Sequence, residues 1–150
     1  MQNGGSFLGK PFEPNAVIKN DIEYILMQRK PKAYRKPEPA ARLLSVISAE
    51  NHAKWFRQIW DMPGASTRAH PAPCPVALAE RLVRMFSFVG DTVLDPFMGS
   101  GTTNVAASRW GRNSVGVEIS ADYVALARKR MEAEQEDMFR DVTVTVRDHG

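Results

Sequence analysis

A chain of 150 residues is long enough to form one domain with a substantial core. At 43% hydrophobic and 25% charged it has the composition of an ordinary globular protein. No apolar run approaches the ~18 residues that a membrane span needs, so no membrane partner is expected. The net charge of +3 is lopsided: residues 1–60 hold 10 Lys and Arg against 5 Asp and Glu, whereas residues 61–150 hold 10 against 12. Residues 1–6 lack a basic segment leading into an apolar block, and the single cysteine, Cys74, cannot close an internal disulfide. Both features point to the cytoplasm.

In chain order, residues 1–16 are rich in Gly, Pro and Asn and read as loop. Residues 22–28 are mostly apolar and short, which predicts a buried strand. A basic stretch follows, with Arg29, Lys30, Lys32, Arg35 and Lys36; Pro31, Pro37 and Pro39 make residues 30–40 an irregular connection. Such a stretch is either a solvated loop or a contact for phosphate backbone. Ser48 can cap a helix running to about residue 60, with Trp55, Phe56, Ile59 and Trp60 on one face as core. Pro63, Gly64, Pro71, Pro73 and Pro75 mark a second loop. Pro75 then suits the start of a helix to about residue 88, with Leu78, Leu82, Met85 and Phe86 inward.

The remainder predicts alternation. A strand at 92–95 leads through a glycine turn into a helix from about 102 to 110, which Gly111 ends. A second strand at 114–118 leads to Ser120, a candidate cap for a helix to about residue 136, and alternating Val and Thr at 141–147 predict a last strand. This α-β-α-β-α-β order calls for a parallel sheet.

The glycine turn carries the chemistry. A strand ending in Asp95, then Gly99-Ser100-Gly101 opening a helix, lets a ligand reach backbone N–H groups. A nucleoside-triphosphate loop needs a Lys before its Ser or Thr, and here Gly101 precedes Thr102. A dinucleotide fingerprint needs a third glycine, and Asn104 stands in its place. S-adenosylmethionine has a zwitterionic tail that suits both features: Asp95 for the amino group, the N–H groups after Gly99 for the carboxylate. Glu118 ends the next strand, 19 residues after Gly99, at the spacing of a ribose-binding acid. A nicotinamide dehydrogenase would need an acid or base for hydride chemistry, and none of His52, His70 and His149 is in a suitable context.

Asp95-Pro96-Phe97-Met98-Gly99-Ser100-Gly101-Thr102 resembles the cofactor motif of the amino-group DNA methyltransferases, the N6-adenine and N4-cytosine enzymes. His70-Pro71-Ala72-Pro73-Cys74-Pro75, with Leu78, Arg81 and Phe86 after it, resembles that family's His-Pro segment. Asn113-Ser114-Val115-Gly116-Val117-Glu118-Ile119 resembles its second motif. Asp21-Ile22-Glu23-Tyr24-Ile25-Leu26-Met27-Gln28-Arg29-Lys30 resembles the late strand of its catalytic region, and the basic stretch falls where target recognition begins.

The resemblance implies an α/β fold: the Rossmann-like sheet of S-adenosylmethionine-dependent methyltransferases with flanking helices, here incomplete. It implies one partial domain over 1–150. About 1–45 would be the late strand and recognition-side loop, about 46–75 a helix and the His-Pro loop, and about 76–150 the cofactor-binding part. The implied cofactor is S-adenosyl-L-methionine, and no metal is implied. Asp95, Pro96, Phe97, Gly99, Ser100, Gly101, Thr102, Glu118, Ile119, His70 and Pro71 would bind it; Arg29, Lys30, Lys32, Arg35 and Lys36 would touch double-stranded DNA. Cys74 stands where relatives commonly have Phe or Lys, and is expected to be a buried, inert thiol. The family's Asp/Ser-Pro-Pro-Tyr motif, which holds a flipped base, does not occur in the sequence, so no catalytic residue is assigned.

The expected function is therefore the cofactor-binding C-terminal portion of a DNA methyltransferase, in the setting of bacterial, archaeal or phage restriction-modification. Adenine N6 is favoured over cytosine N4 as its target. The alternative is an inactive fragment or accessory module that binds cofactor or DNA only. The expected companions are a complementing N-terminal methyltransferase segment or a second copy joined at an open sheet edge.

Overall fold

The computed structural model of the chain describes residues 22–31, 36–63, 74–135 and 143–147. Two compact units divide it, Met1–Tyr34 and Arg35–Gly150. In the first, residues 22–31 form neither helix nor strand. The predicted strand at 22–28 is thus absent, and Tyr24 and Leu26 are 82% and 86% exposed. An apolar run becomes a strand only when a neighbour accepts its backbone ladder, and the ladder among the described residues joins Thr92–Asp95 to Asn113–Gly116.

Among the described residues, the second unit contains seven elements: α1 (Pro39–Leu44), α2 (Ala49–Trp55), α3 (Val76–Phe86), β1 (Thr92–Asp95), α4 (Thr102–Arg109), β2 (Asn113–Gly116) and α5 (Ala121–Gln135). α1 lies partly in the stretch expected to be irregular. Pro39 occupies its first turn, where a missing N–H removes no helical bond, so this proline starts a helix. Ser45 at its C-terminus donates to the Ala41 carbonyl (2.6 Å) and accepts from the Val89 N–H (2.8 Å). That pair ties α1 to the turn before β1.

Ser48 caps α2 as expected, its hydroxyl accepting from Asn51 N–H at 3.2 Å. The helix stops at Trp55, earlier than predicted. There the Trp60 indole N–H donates to the Trp55 carbonyl (2.8 Å), which satisfies a helix-end acceptor from the side. The aromatic stripe expected as core is not buried, and Ile59 is 83% exposed. Its tryptophans instead alternate with arginines of α3. Arg81 lies 4.6 Å from the ring centre of Trp60 and 5.8 Å from that of Trp55; Arg84 lies 4.6 Å from Trp55 and 3.7 Å from Trp110. Guanidinium planes attract aromatic faces electrostatically, so these rings pack on cations rather than on aliphatic neighbours.

α4 is the central element. It contacts α3, α5 and both strands, and Val105, Ala106 and Ala107 are almost wholly inaccessible. Small residues allow this crowding. On α3 the buried positions are Ala79 and Val83, which cluster with Ala106 and Val93, while Phe86 is exposed. The inward face of α3 is thus rotated from the predicted set, because alanines on α4 admit the closest approach opposite Ala79. β1 and β2 pair in parallel, with Thr92 opposite Asn113 and Asp95 opposite Gly116. Their far face, including Leu94 and Val115, is exposed. The third strand predicted at 141–147 is not formed by described residues 143–147; 141 and 142 lie outside the described residues.

Two arginines, Arg112 buried and Arg109 half-buried, lock the frame. Arg112 donates to the Ser87 carbonyl (2.7 Å), the Ser87 hydroxyl (3.2 Å) and the Trp110 carbonyl, linking the end of α3 to the turn before β2. Burial lowers its pKa from the usual guanidinium value, Asp91 opposing that shift and Arg84 adding to it. Arg109 grips Glu134 of α5 in a two-pronged pair (2.7 and 2.6 Å) and reaches Glu80 of α3 at 3.1 Å. The Glu134 carboxylate, with a further contribution from Glu80, raises its pKa against the effect of burial. Glu134→Gln keeps the shape and removes the charge. It should destabilise the chain by about 1 kcal/mol, lowering Tm by roughly 3 °C, with a smaller difference in high salt. Thermal unfolding followed by circular dichroism checks this.

Candidate cofactor site

The parallel register brings the ends of β1 and β2 to the same edge of the sheet, and both ends are acidic. Asp95 closes β1, and its carboxylate accepts from the Phe97 N–H at 3.0 Å. Glu118 follows β2 by two residues. Pairing continues past the strands, with Val117 N–H donating to the Asp95 carbonyl and Met98 N–H to the Val117 carbonyl, both at 2.9 Å. Each acid is therefore held by its neighbour's backbone.

Glu118 is the hinge between the two motifs. One of its oxygens accepts from Gly99 N–H (2.8 Å), the other from Ser120 N–H (2.9 Å). The glycine turn and the segment after β2, separate in sequence, meet on one carboxylate. Gly116 supplies the room: a Cβ there would collide with the Met98 side chain folded over it.

The turn enters α4 through Gly101, the N-cap, at φ +78°. Two constraints oppose any other residue. The left-handed conformation strains an L-amino acid, and a Cβ at Gly101 would sit 2.8 Å from the Cβ of Ala127 on α5. Because the cap has no side chain, the first turn of α4 keeps its donors: among the described residues, the N–H groups of Thr102, Thr103 and Asn104 meet no acceptor. Those donors and the helix dipole suit an anionic group.

Phe97 and Ile119 follow the two acids. Phe97 is 89% exposed and Ile119 fully so, which gives the edge two apolar surfaces beside two carboxylates. Asn104 donates to the Ser114 hydroxyl at 3.0 Å. It thus fills the space between helix and strand that a third glycine leaves open in a dinucleotide site.

One contact has no sequence motif behind it. A single terminal nitrogen of Arg130 on α5 reaches the Ser100 carbonyl (2.7 Å), the Ser100 hydroxyl (2.8 Å) and the Thr102 hydroxyl (3.3 Å). Ser100 and Thr102 are among the residues expected to bind cofactor, and their hydroxyls are engaged here by an arginine. The only available signal was the spacing of Ala127 and Arg130, which puts both on one face of a helix.

The structure thus gathers Asp95, Pro96, Phe97, Gly99, Ser100, Gly101, Thr102, Glu118 and Ile119 at one sheet edge. His70 and Pro71 lie outside the described residues, as do Lys32 and Arg35. Arg29 and Lys30 are exposed in the first unit, and Lys36 is exposed in the second. Cys74 is exposed, against the expectation of a buried thiol: it precedes α3 rather than packing beneath it.

A family profile described as DNA methylase matches residues 8–129. The chain is 39% identical over 153 aligned residues to the type II methyltransferase M.MjaI of Methanocaldococcus jannaschii, covering 97% of this chain and 50% of that protein. It is 37% identical over 87 residues to the DNA adenine methyltransferase YhdJ of Escherichia coli, covering 55% of this chain and 30% of that protein. Among solved structures it resembles TTHA0409 of Thermus thermophilus, a proposed DNA modification methylase in complex with S-adenosyl-L-methionine. That match has a TM-score of 0.74 and 53% identity, covering 87% of this chain and 51% of the other. The chain therefore spans about half the length of M.MjaI and of TTHA0409, and less of YhdJ.

Gly101→Ala should destabilise by about 3 kcal/mol, the left-handed backbone and the collision with Ala127 acting together. Gly90→Ala is the control. Gly90 has a similar φ of +83° with nothing near its missing Cβ, so it should lose only the backbone part, about 1 kcal/mol. Urea midpoints of the two variants separate the terms.

Proposed function

This chain belongs to the DNA methylase family, and on that premise we propose that it holds S-adenosyl-L-methionine at the edge shared by β1 and β2, for methyl transfer to DNA. The observation that carries this reading is the Glu118–Gly99 hydrogen bond, which joins the two motifs into one site. The donor set fits the ligand. Asp95 meets the amino group, and the unpartnered N–H groups at the start of α4 meet the carboxylate. Carboxylate oxygens each accept more than one hydrogen bond, so Glu118 can hold Gly99 and the ribose hydroxyls together. Ile119 offers an apolar face to adenine and Phe97 one to the methionine end; His70 and Pro71, which the resemblance adds to the cofactor contacts, lie outside the described residues.

When bound, the cofactor would supply a methyl group on a sulfonium: an exocyclic amine of a base would attack that methyl carbon in line, the S–CH3 bond breaking with S-adenosylhomocysteine as the leaving group and the amine proton passing to water. The contribution of these residues is orientation: no proton transfer is assigned to them, and positioning supplies most of the rate in such a displacement. Arg29, Lys30, Lys32, Arg35 and Lys36 are the proposed contacts to the phosphate backbone of duplex DNA. The target is adenine N6, with cytosine N4 as the second reading; a relative described as an adenine methyltransferase supports the first.

Calorimetry with S-adenosylhomocysteine tests the site. The wild-type chain should bind, and Asp95→Ala and Glu118→Ala should each weaken binding by about 10- to 100-fold, the range for a lost charge-assisted hydrogen bond. No binding by the folded wild-type chain refutes the reading. Incubation with tritiated cofactor and mixed duplex DNA, followed by nucleoside chromatography, tests transfer. N6-methyladenine is the expected product, N4-methylcytosine would replace it with the second reading, and binding without incorporation would leave this chain a cofactor-holding module.

A further inference from the structure

We propose that Arg130 is a positioning residue of this site, and that it makes binding depend on the amino-acid tail of the ligand. The proposal rests on the cofactor reading above and goes beyond it to a residue outside both motifs.

The peptide between Ser100 and Gly101 is held at both ends. Its carbonyl accepts from Arg130 at 2.7 Å, and its N–H donates to the Met98 carbonyl at 2.9 Å. That peptide leads directly into the left-handed Gly101 and the open first turn of α4. Fixing its plane fixes the direction of the N–H groups of Thr102, Thr103 and Asn104. Arg130 also holds both hydroxyls that flank Gly101. On the same face of α5, Ala127 is small enough to let Gly101 approach. The face therefore combines a close-packing contact with a clamp.

Charge adds to geometry. Among the described residues Arg130 is in no salt bridge, unlike Arg109 and Arg128. Its guanidinium is within 3.3 Å of the hydroxyl of the first residue of α4. A positive charge there adds to the helix dipole where an anionic group would dock. A ligand carboxylate would gain from both; a ligand without one would gain from neither.

Two ligands separate this from a role in folding alone. S-adenosylhomocysteine carries the amino-acid tail, and 5′-methylthioadenosine has the same nucleoside thioether without it. Calorimetry with wild type, Arg130→Ala, Arg130→Gln and Arg130→Lys, with thermal unfolding of each, gives the comparison. The expected result is a loss of about tenfold or more for S-adenosylhomocysteine in Arg130→Ala and Arg130→Gln, the scale of one charge-assisted hydrogen bond, with 5′-methylthioadenosine changed by less than about twofold. Arg130→Lys should recover most of the loss. Equal weakening of both ligands, or of neither, in folded variants overturns the proposal and leaves the cofactor reading intact. Failure of the wild-type chain to bind S-adenosylhomocysteine overturns both. Should Arg130→Ala not fold, Arg130→Gln carries the same comparison.

Discussion

The close approach of Gly101 to Ala127 is the constraint on which the rest of the structure depends. α4 can lie against α3, α5 and both strands only if its surface and theirs are built from small residues at the contacts. Ala79, Ala106, Ala107 and Ala127 meet that requirement along its length, and Gly101 meets it at its N-terminus. The same glycine turns the chain from strand into helix through a conformation that other residues resist. Packing and ligand access are thus one requirement: the backbone that comes close to α5 also leaves the first N–H groups of α4 without acceptors.

Parallel pairing does the second part of the work. In an antiparallel pair Asp95 and Glu118 would lie at opposite ends; with Asp95 opposite Gly116, both stand at one edge. Glu118 then has a structural duty, pinning Gly99, as well as a proposed one toward ribose. A substitution there would disturb the turn and the ligand contact together, so its effect on binding is not a measure of the ribose contact alone.

The grouping of the candidate site's residues was legible in the sequence because its geometry is local. Asp95, the two glycines and Glu118 sit at strand ends separated by one helix, and a strand–helix–strand unit has only one common arrangement. The α/β architecture was legible for the same reason, and the likeness to a solved methylase extends it across most of the chain. What was not legible depends on partners distant in sequence. Residues 22–28 have a strand's composition but do not form one. Trp55 and Trp60 have a core's composition but face Arg81 and Arg84, which only the tertiary fold brings to them. Pro39 reads as a breaker unless the helix is known to start there. Arg130 looks like any surface arginine of a charged helix until the glycine turn is placed beside it.

The balance of charge at this edge narrows the ligand further than the motif does. A triphosphate brings several negative charges, and a carboxylate about 4 Å from one of them opposes it by about 4 kcal/mol at the dielectric of a protein surface. Two carboxylates stand here, with no lysine in the turn to offset them. One end of a helix and a single bridging arginine offer favourable donors for about one negative charge. A site with two acids, one helix N-terminus and two exposed apolar side chains matches a ligand that is itself mixed: one ammonium, one carboxylate, a diol and an aromatic base. In the proposed reading, Asp95 and the start of α4 answer the two ends of a zwitterion because they lie on either side of the same short turn. On that reading the spacing from Asp95 to Thr102 bears on ligand class as much as the glycines do.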